Sequence, residues 1–427
     1  MSVSRPLILR LYSLATAGFG PFSGLLLGRR QRRGKEDPLR RPERIGIAGK
    51  PRPEGPLCWL HGASVGESIT LLPIAERLGA QGFQVLMTTG TVTSAALMAR
   101  RLPAGAIHQF VPLDVPAFVR RFLRHWQPDL AVFLESEIWP TMVQETRAAG
   151  VALALVNARM SPRSFARWRR APRTIGTLLG CFDLIAAQSE DDGERFKALG
   201  APNVMISGNL KFDAPAPSAD EAKLGELQTA IGARPLWLAA ATHDGEEALA
   251  GEVHAGLKDR FVDLLTLIVP RHPDRGPAVA AELRAKGLKV GLRSEGAVPQ
   301  ADMDVYVADT VGEMGLFYRL ARIVFVGKSL LGDGGQNPIE PAKLGAAVLH
   351  GPFVQNFLVA YGALDGMGGA IMVRSSGELA SAVARLLADP AETERVAEGG
   401  ARAIASLTGA LDRTMTALAA LAAKPAS

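Results

Sequence analysis

Short apolar runs alternate with longer segments of helical period along most of the chain. In the first half the runs fall at 57–60, 83–88, 107–111, 129–134, 151–156, 183–187 and 204–206. The segments between them are long enough for helices, and one repeats apolar residues at helical spacing: Ile69, Leu71, Leu72, Ile74, Ala75 and Leu78. Nearly continuous apolar runs joined by helical segments predict parallel strands in a doubly wound sheet. Pro215, Pro217 and Ser218 break the rhythm, and a polar helical segment follows at 219–231. The rhythm then restarts with strands expected at 236–241, 263–269, 288–292, 304–307, 322–326 and 346–349. The expectation is therefore α/β: two Rossmann-like halves with a linker near 214–220. An alanine-rich helical tail, 376–424, should bend at Gly409. The chain has no tandem repeat and no low-complexity tract.

A length of 427 residues also favours two domains over one core. The formal charge of +6 is uneven: residues 1–52 hold 12 Lys+Arg and 3 Asp+Glu, net +9, which leaves −3 for the rest. That excludes a broadly basic nucleic-acid surface and points to a local anionic partner, a membrane surface. The two cysteines, Cys58 and Cys181, lie near predicted strands and suit buried free thiols rather than a disulfide framework. An apolar stretch, Pro6 to Gly28, precedes the basic run Arg29 to Lys35. Its charge sits behind the apolar region, which argues against a cleaved signal peptide. A spanning helix and an interfacial anchor held to anionic lipid both fit, and a helix packed on the protein's own body is the blander reading. We read residues 1–35 as a membrane-associating segment on the cytoplasmic face.

The richest stretch for chemistry is Trp59 to Glu67. An apolar run enters a turn of small residues, His61-Gly62-Ala63-Ser64-Val65-Gly66, and Glu67 falls in the first turn of the helix that follows. A parallel strand delivers such a loop to the carboxyl edge of its sheet, where α/β proteins bind ligands. Glu67 there can take a proton from a hydroxyl, or can simply favour the helix dipole. Glu135-Ser136-Glu137-Ile138-Trp139-Pro140 follows the strand 129–134 directly, and acids at i and i+2 diverge, so one is expected to face the site. Asn157 to Ser164 follows the next strand with Arg159 and Arg163, whose forks suit phosphate, or a solvated basic face. Lys211 can stabilise negative charge or pair with Asp213.

In the second half, Pro270 and Arg271 lie at a strand end. Gly312-Glu313-Met314 opens a helical segment, and Gly332 to Pro341 is a glycine loop feeding a helix start, which suits an anion. Gly327-Lys328-Ser329 is not a P-loop, because Arg322 stands where the first glycine is needed. No G-x-G-x-x-G opens the first unit. The seven histidines form no metal pattern, and His243-Asp244-Gly245-Glu246-Glu247 reads as a helix start with acids on its N-terminus.

Taken together, His61–Glu67, Glu135–Pro140, Asn157–Ser164, Ser207–Asp213, Ala240–Glu247, Val269–Pro273, Phe325–Ala342 and His350–Phe357 resemble, in order and spacing, the 3-deoxy-D-manno-octulosonic acid (Kdo) transferases of lipid A biosynthesis, glycosyltransferase family 30. The resemblance implies a GT-B architecture, two Rossmann-like domains facing across a cleft. It places an acceptor-binding domain at 36–214, a CMP-Kdo-binding domain at 220–405 and a C-terminal helix at 406–427. It implies an inverting transfer of Kdo from CMP-Kdo to the 6′-hydroxyl of the tetraacylated lipid A precursor, lipid IVA, at the inner membrane, with no metal and no cofactor. Glu67 matches the general base; Glu137 and Lys211 match positions credited with stabilising the transition state. Pro270, Arg271, Gly312, Glu313, Met314, Asn337, Pro338, Ile339 and Glu340 match CMP-contacting positions. For the acceptor we expect Ser64 and Gly66 in the loop, and Arg159 and Arg163 on a phosphate. This chain departs from the pattern at Lys328, where glycine is expected, at Gln336, where histidine is, and at Ala241, where serine is usual. A nucleotide-sugar epimerase of the same two-domain fold is the alternative, and a catalytically silent binding protein a more distant one.

Overall fold

The computed structural model describes residues 6–332 and 334–423. Asp333 of the glycine loop, residues 1–5 of the N-terminal segment and 424–427 of the tail lie outside the described residues. The chain divides into two compact units. The first runs to Ala214 and also includes the chain from Thr408; the second is Pro215–Leu407.

In the first unit seven strands form one parallel sheet: β1 (Leu57–His61), β2 (Gln84–Thr89), β3 (Ile107–Phe110), β4 (Leu130–Leu134), β5 (Ala152–Ala158), β6 (Leu184–Ala187) and β7 (Val204–Ile206). Their order is β3-β2-β1-β4-β5-β6-β7. Both faces are covered, as continuous apolar strands require. Leu57 and Trp59 join Phe122, Trp126 and Phe133 on one side. Cys58 and Leu60 join Leu71, Ile74, Leu411, Met415 and Leu418 on the other. The last helix, Ala410–Ala422, thus returns to the first sheet. Asp213 fastens it there, accepting from Gly409 N at 2.6 Å and Leu411 N at 2.7 Å. Gly409, with φ 90°, makes the bend. Cys58 is a fully buried free thiol, whereas Cys181, expected to be buried too, is only partly so.

The second unit repeats the plan with β8 (Leu236–Thr242), β9 (Leu265–Pro270), β10 (Val290–Leu292), β11 (Val305–Val307), β12 (Ile323–Val326), β13 (Ala347–His350) and β14 (Ala370–Met372). The parallel order is β10-β11-β9-β8-β12-β13-β14. Strand β14 is absent from the sequence expectation. It is a three-residue edge strand directly behind Gly368 and Gly369, a pair that reads as a turn and masks the short apolar run after it.

The N-terminal segment folds as α1 (Leu7–Phe19) and α2 (Ser23–Arg32). One side docks on the first unit: Leu9 and Leu27 are buried, and Tyr12 Oη donates to Asp114 Oδ2 at 2.8 Å. The other side is apolar and open, with Leu7 and Leu14 each 69% exposed and Leu25 76%. No described helix is long and apolar enough to cross a membrane. The +9 excess is also not all turned outward. Arg44 is buried against Glu36 at 2.8 Å, Arg30 shares that carboxylate at 2.6 Å, and Arg40 pairs with Glu43 at 2.8 Å. Part of the excess is thus neutralised within the segment itself. These three arginines hold the segment to the body.

His108 belongs to the same knot. Its Nδ1 lies 2.8 Å from Arg40 Nη2 and its Nε2 2.9 Å from Thr89 Oγ1. Burial, with Arg40, Arg44 and Lys50 nearby, pushes its pKa down to about 3. An unfolded histidine binds its proton near pH 6.5, so between about pH 6.5 and 3 the unfolded chain holds a proton that the folded chain does not. Stability from this group is complete above that window and is lost as pH falls through it. The urea midpoint should drop on acidification from pH 7 to 4.5, and less steeply in His108→Gln. Parallel curves for the two proteins would contradict this.

Candidate active site

In each sheet the strand order reverses beside the first strand, between β1 and β4 in the first unit and between β8 and β12 in the second. The carboxyl ends at such a reversal form the usual ligand crevice of an α/β sheet.

After β1, the chain turns through Gly62 into α3 (Val65–Ala80). A side chain at 62 would meet Glu67 Cβ and Leu71 Cδ1, both at 3.1 Å, so the glycine lets the turn lie against its own helix. Ser64 is the N-cap, and Glu67 sits three residues on. Ser64 Oγ donates to Glu67 Oε1 at 2.7 Å, and Ala63 N donates to Oε2 at 2.8 Å. Glu67 thus closes the helix start like a capping-box acid, reaching back one residue further, to the N–H before the N-cap, and it stands half-exposed beside the exposed Ser64 and Gly66. The capping and proton-accepting readings coexist in one geometry, because the cap holds the carboxylate still.

After β4 the two acids diverge, as their spacing predicts, and each has its own partner. Glu137 Oε2 lies 3.2 Å from His61 Nε2 and accepts from Trp139 Nε1 at 2.5 Å. Burial works against its ionisation, but His61 and the Trp139 N–H outweigh it and hold Glu137 below the usual carboxylate range. Glu135 turns to Lys211, Oε1 to Nζ at 2.9 Å. Pairing of Lys211 with Asp213 is therefore corrected, since Asp213 caps the last helix. Ser136 Oγ donates to Arg159 O at 2.7 Å, and Arg159 N donates to Glu135 O at 3.2 Å, which joins the loops after β4 and β5. Arg159 and Arg163 are exposed, and no acidic partner is seen for either among the described residues.

The backbone carries strain at the same edge. Among the described residues five non-glycine positions have positive φ, and four follow or end a strand at its carboxyl end: Glu135 (54°), Asn157 (49°), Ala241 (52°) and Lys328 (57°). Asn157 tolerates this conformation best, and its Oδ1 accepts from Leu210 N at 2.9 Å, which seats the Lys211 turn. At Ala241 and Lys328, Glu246 supplies the restraint. It accepts from His243 N at 2.9 Å and Lys328 N at 2.7 Å, tying the loops after β8 and β12 together. Strain held by surrounding bonds is characteristic of binding sites.

In the second unit Arg271 follows Pro270, is exposed, and donates its N–H to Thr242 O at 2.9 Å. His243 and His272 lie near it, their ring centres 6.0 Å apart. Gln336 Nε2 meets His243 Nε2 at 2.9 Å. Gly312, with φ 85°, precedes Glu313 and the helix that begins at Met314. The Glu313 carboxylate is saturated by Arg293 (2.5 and 2.9 Å), Thr310 (2.5 Å) and Lys223 (2.9 Å) and is held well below the usual range, chiefly by Arg293. What this segment has left to offer a ligand is backbone. The helix after Pro338 is only Ile339–Lys343, and Ile339 N already bonds Asn337 Oδ1 at 3.0 Å. It is thus a weaker anion site than the glycine loop suggests. Glu340 accepts from Asn337 at 3.2 Å, and burial raises its pKa.

Missed from the sequence were a role for His61, and Thr88, Glu135 and Glu246 as its counterparts in holding the loops. Their partners lie on other strands, and no local spacing reports them.

Two seven-stranded Rossmann-like units with acids and cations at the reversal points define the class: a GT-B-type α/β protein. The fold is shared with a glycosyltransferase from Rickettsia africae (TM-score 0.59, 13% identity, 87% of this chain and 100% of that one). It is shared equally with a UDP-GlcNAc 2-epimerase from Neisseria meningitidis (TM-score 0.58, 13% identity, 86% and 100%), so fold alone does not choose an activity. Sequence does. A family model described as 3-deoxy-D-manno-octulosonic-acid transferase (kdotransferase) matches residues 39–214. A 3-deoxy-D-manno-octulosonic acid transferase of Bordetella pertussis is 34% identical over 96% of this chain and 98% of its own. A probable mitochondrial one of Arabidopsis thaliana is 35% identical over 90% and 89%. The chain belongs to the Kdo transferase family and is a glycosyltransferase.

Proposed function

We propose that the protein transfers Kdo from CMP-Kdo to the 6′-hydroxyl of lipid IVA with inversion and without a metal, on the cytoplasmic face of the inner membrane, in lipopolysaccharide core biosynthesis. The observation that carries this reading is the grouping of Glu67, the His61–Glu137 pair and the Glu135–Lys211 pair on loops at the carboxyl edge of one sheet, in a chain of this family. The Glu67 carboxylate takes the proton of the acceptor hydroxyl as its oxygen bonds the anomeric carbon. The bond from that carbon to the phosphate oxygen breaks, and its electron pair leaves with CMP. Glu137, ionised, steadies the positive charge that develops on the sugar, and Lys211 the negative charge around it. Arg159 and Arg163 hold a phosphate of the acceptor, with Ser64 and Gly66 beside its hydroxyl. CMP is held in the second unit, by Pro270 and Arg271, by the backbone of Gly312–Met314 and by Asn337–Glu340, with Glu340 suited to ribose hydroxyls.

Incubation with CMP-Kdo generated in situ and lipid IVA, followed by mass spectrometry, should show Kdo added to the lipid, with EDTA leaving the yield unchanged. No transfer, or loss in EDTA with rescue by a divalent ion, overturns the reading. Arg271→Ala and Glu340→Ala should each weaken CMP binding by about 1–3 kcal/mol, the worth of a charged hydrogen bond. Calorimetric titration with CMP checks this, and unchanged affinity removes these residues from the donor site.

For the membrane we propose an interfacial anchor. Its support is that α1 is pinned by Leu9 and Tyr12 while Leu7, Ile8, Leu11 and Leu14 face outward, next to the exposed Arg10 and ahead of Arg29, Arg32 and Arg33. Changing the four outward residues to serine should lower partition onto anionic vesicles at least about tenfold, given 1.5–3 kcal/mol for a fully buried leucine. Undiminished binding places the anchor elsewhere.

A further inference from the structure

We propose that Trp59, Thr88 and His61 form a hydrogen-bond relay that fixes one imidazole tautomer, so that His61 Nε2–H grips and orients the Glu137 carboxylate. The alternation of β1 sends Trp59 and His61 to the same face, and the β1–β2 register sets Thr88 directly opposite His61. All three are fully buried. Trp59 Nε1 donates to Thr88 Oγ1 at 2.8 Å, and Thr88 Oγ1 lies 2.9 Å from His61 Nδ1. An indole N–H can only donate and an ionised carboxylate can only accept. Both ends of the chain of bonds are therefore fixed. At one end His61 Nε2, facing Glu137 Oε2 at 3.2 Å, must carry the proton. At the other, Thr88 Oγ1 accepts the indole N–H and has its own hydroxyl hydrogen to donate. Its choice is His61 Nδ1 at 2.9 Å or Leu60 O at 3.4 Å, and the shorter contact makes Nδ1 the acceptor. Phe133 stands edge-on to the imidazole at 5.4 Å between centres and limits its rotation. An apolar side chain would fill this slot without the cost of burying a polar ring. What the histidine adds is a directed donor at the one point where the slot opens to a half-buried acid. His61 is thus a positioning residue, and Thr88 and Trp59 act through it, by the same logic that lets a buried partner set a catalytic histidine's tautomer.

The inference rests on the reading of Glu137 as an ionised group at the reacting centre, and the test separates the two. Nitrogen-15 NMR of the full-length protein labelled at histidine, with His61 assigned by loss of its signal in His61→Gln, should show the Nε2–H tautomer at neutral pH. In Thr88→Val that signal should shift toward a tautomer mixture. Turnover with CMP-Kdo and lipid IVA should fall roughly 10- to 100-fold, the usual cost of losing an outer partner that orients an active-site group, while KM for CMP-Kdo stays within about twofold. Thr88→Ser keeps the hydroxyl and should keep both tautomer and turnover, although it loses a buried methyl. An Nδ1–H tautomer or an imidazolium at His61 in the unsubstituted protein overturns the relay. So does a Thr88→Ser protein as slow as Thr88→Val, because turnover then follows packing. Glu137→Gln tests the underlying reading: full turnover there removes Glu137 from the reaction, whatever tautomer His61 adopts.

Discussion

Replacing Glu36 by alanine is expected to lower the unfolding free energy by about 3–5 kcal/mol, the usual penalty for leaving a buried charge without its partner. The side chains of Glu36 and Arg44 are 2% and 4% exposed. Arg44 Nε bonds Glu36 at 2.8 Å, while Nη2 and Nη1 donate to Gly90 O at 2.6 Å and Val111 O at 3.2 Å. Burial, with a smaller push from the neighbouring Arg30 charge, lowers the guanidinium pKa, and Glu36 is the largest of the contacts that oppose it. With Glu36 gone, two carbonyls remain as its hydrogen-bond partners and no close carboxylate faces it along the Nε edge. Arg30→Ala should cost less than about 1 kcal/mol, because Arg30 is 40% exposed and its pairing is screened by water. The double change Glu36→Leu with Arg44→Met should recover most of the loss, since an apolar pair of similar volume avoids both desolvation costs. Urea unfolding of the four proteins decides the matter. A Glu36→Ala protein within 1 kcal/mol of the parent would mean that Arg44 finds water. The consequence reaches α2: Arg30 lies in its last turn, and the carboxylate it shares with Arg44 links that helix to the loops after β2 and β3.

The strands were readable because burial on both faces writes four to seven apolar residues in a row. Thirteen of the fourteen lay in expected places; β14 did not, because the Gly368-Gly369 pair directly before it reads as a turn. The place of Glu67 in the first helical turn was also readable, because a strand, a small-residue turn and a helical pattern follow one another there; Ser64 as the N-cap emerges only from the structure. Pairs that meet through the sheet were not readable. Lys211 reaches Glu135 across 76 positions and His61 reaches Glu137 across the same interval. The choice between Asp213 and Glu135 as partner of Lys211 turns on Asp213 being needed almost 200 positions later, at the start of the last helix. Positive φ at Glu135, Ala241 and Lys328 was equally hidden, since none of these residue types announces that conformation. The family resemblance supplied what local spacing lacked for Glu137 and Lys211, but not their partners.

The largest effect on activity is expected at Glu67. Glu67→Gln should lower turnover about 10²–10⁴-fold, the range for loss of a general acid or base. The structure makes this substitution unusually clean. A glutamine at 67 can still accept from Ala63 N through its carbonyl oxygen, and its amide can donate to Ser64 Oγ, so the two bonds of the cap survive with one reversed. What is lost is basicity, and a charge that the helix N-terminus favours by about 0.3–1 kcal/mol. The unfolding midpoint should therefore move little, and CMP affinity should not move, because the nucleotide is assigned to the second unit. Glu67→Ala gives the contrast: it loses both bonds and should cost about 0.5–2 kcal/mol of stability as a cap deletion, with turnover no lower than in Glu67→Gln by more than the cap's disorder adds. If capping were the whole role of Glu67, activity would follow stability: Glu67→Gln near normal, Glu67→Ala impaired. If Glu67 takes the acceptor's proton, both variants are slow and only one is destabilised. Turnover with CMP-Kdo and lipid IVA, measured beside thermal unfolding on the same preparations, separates the two roles. A fully active Glu67→Gln protein would move the base elsewhere along the carboxyl edge and leave the family assignment intact.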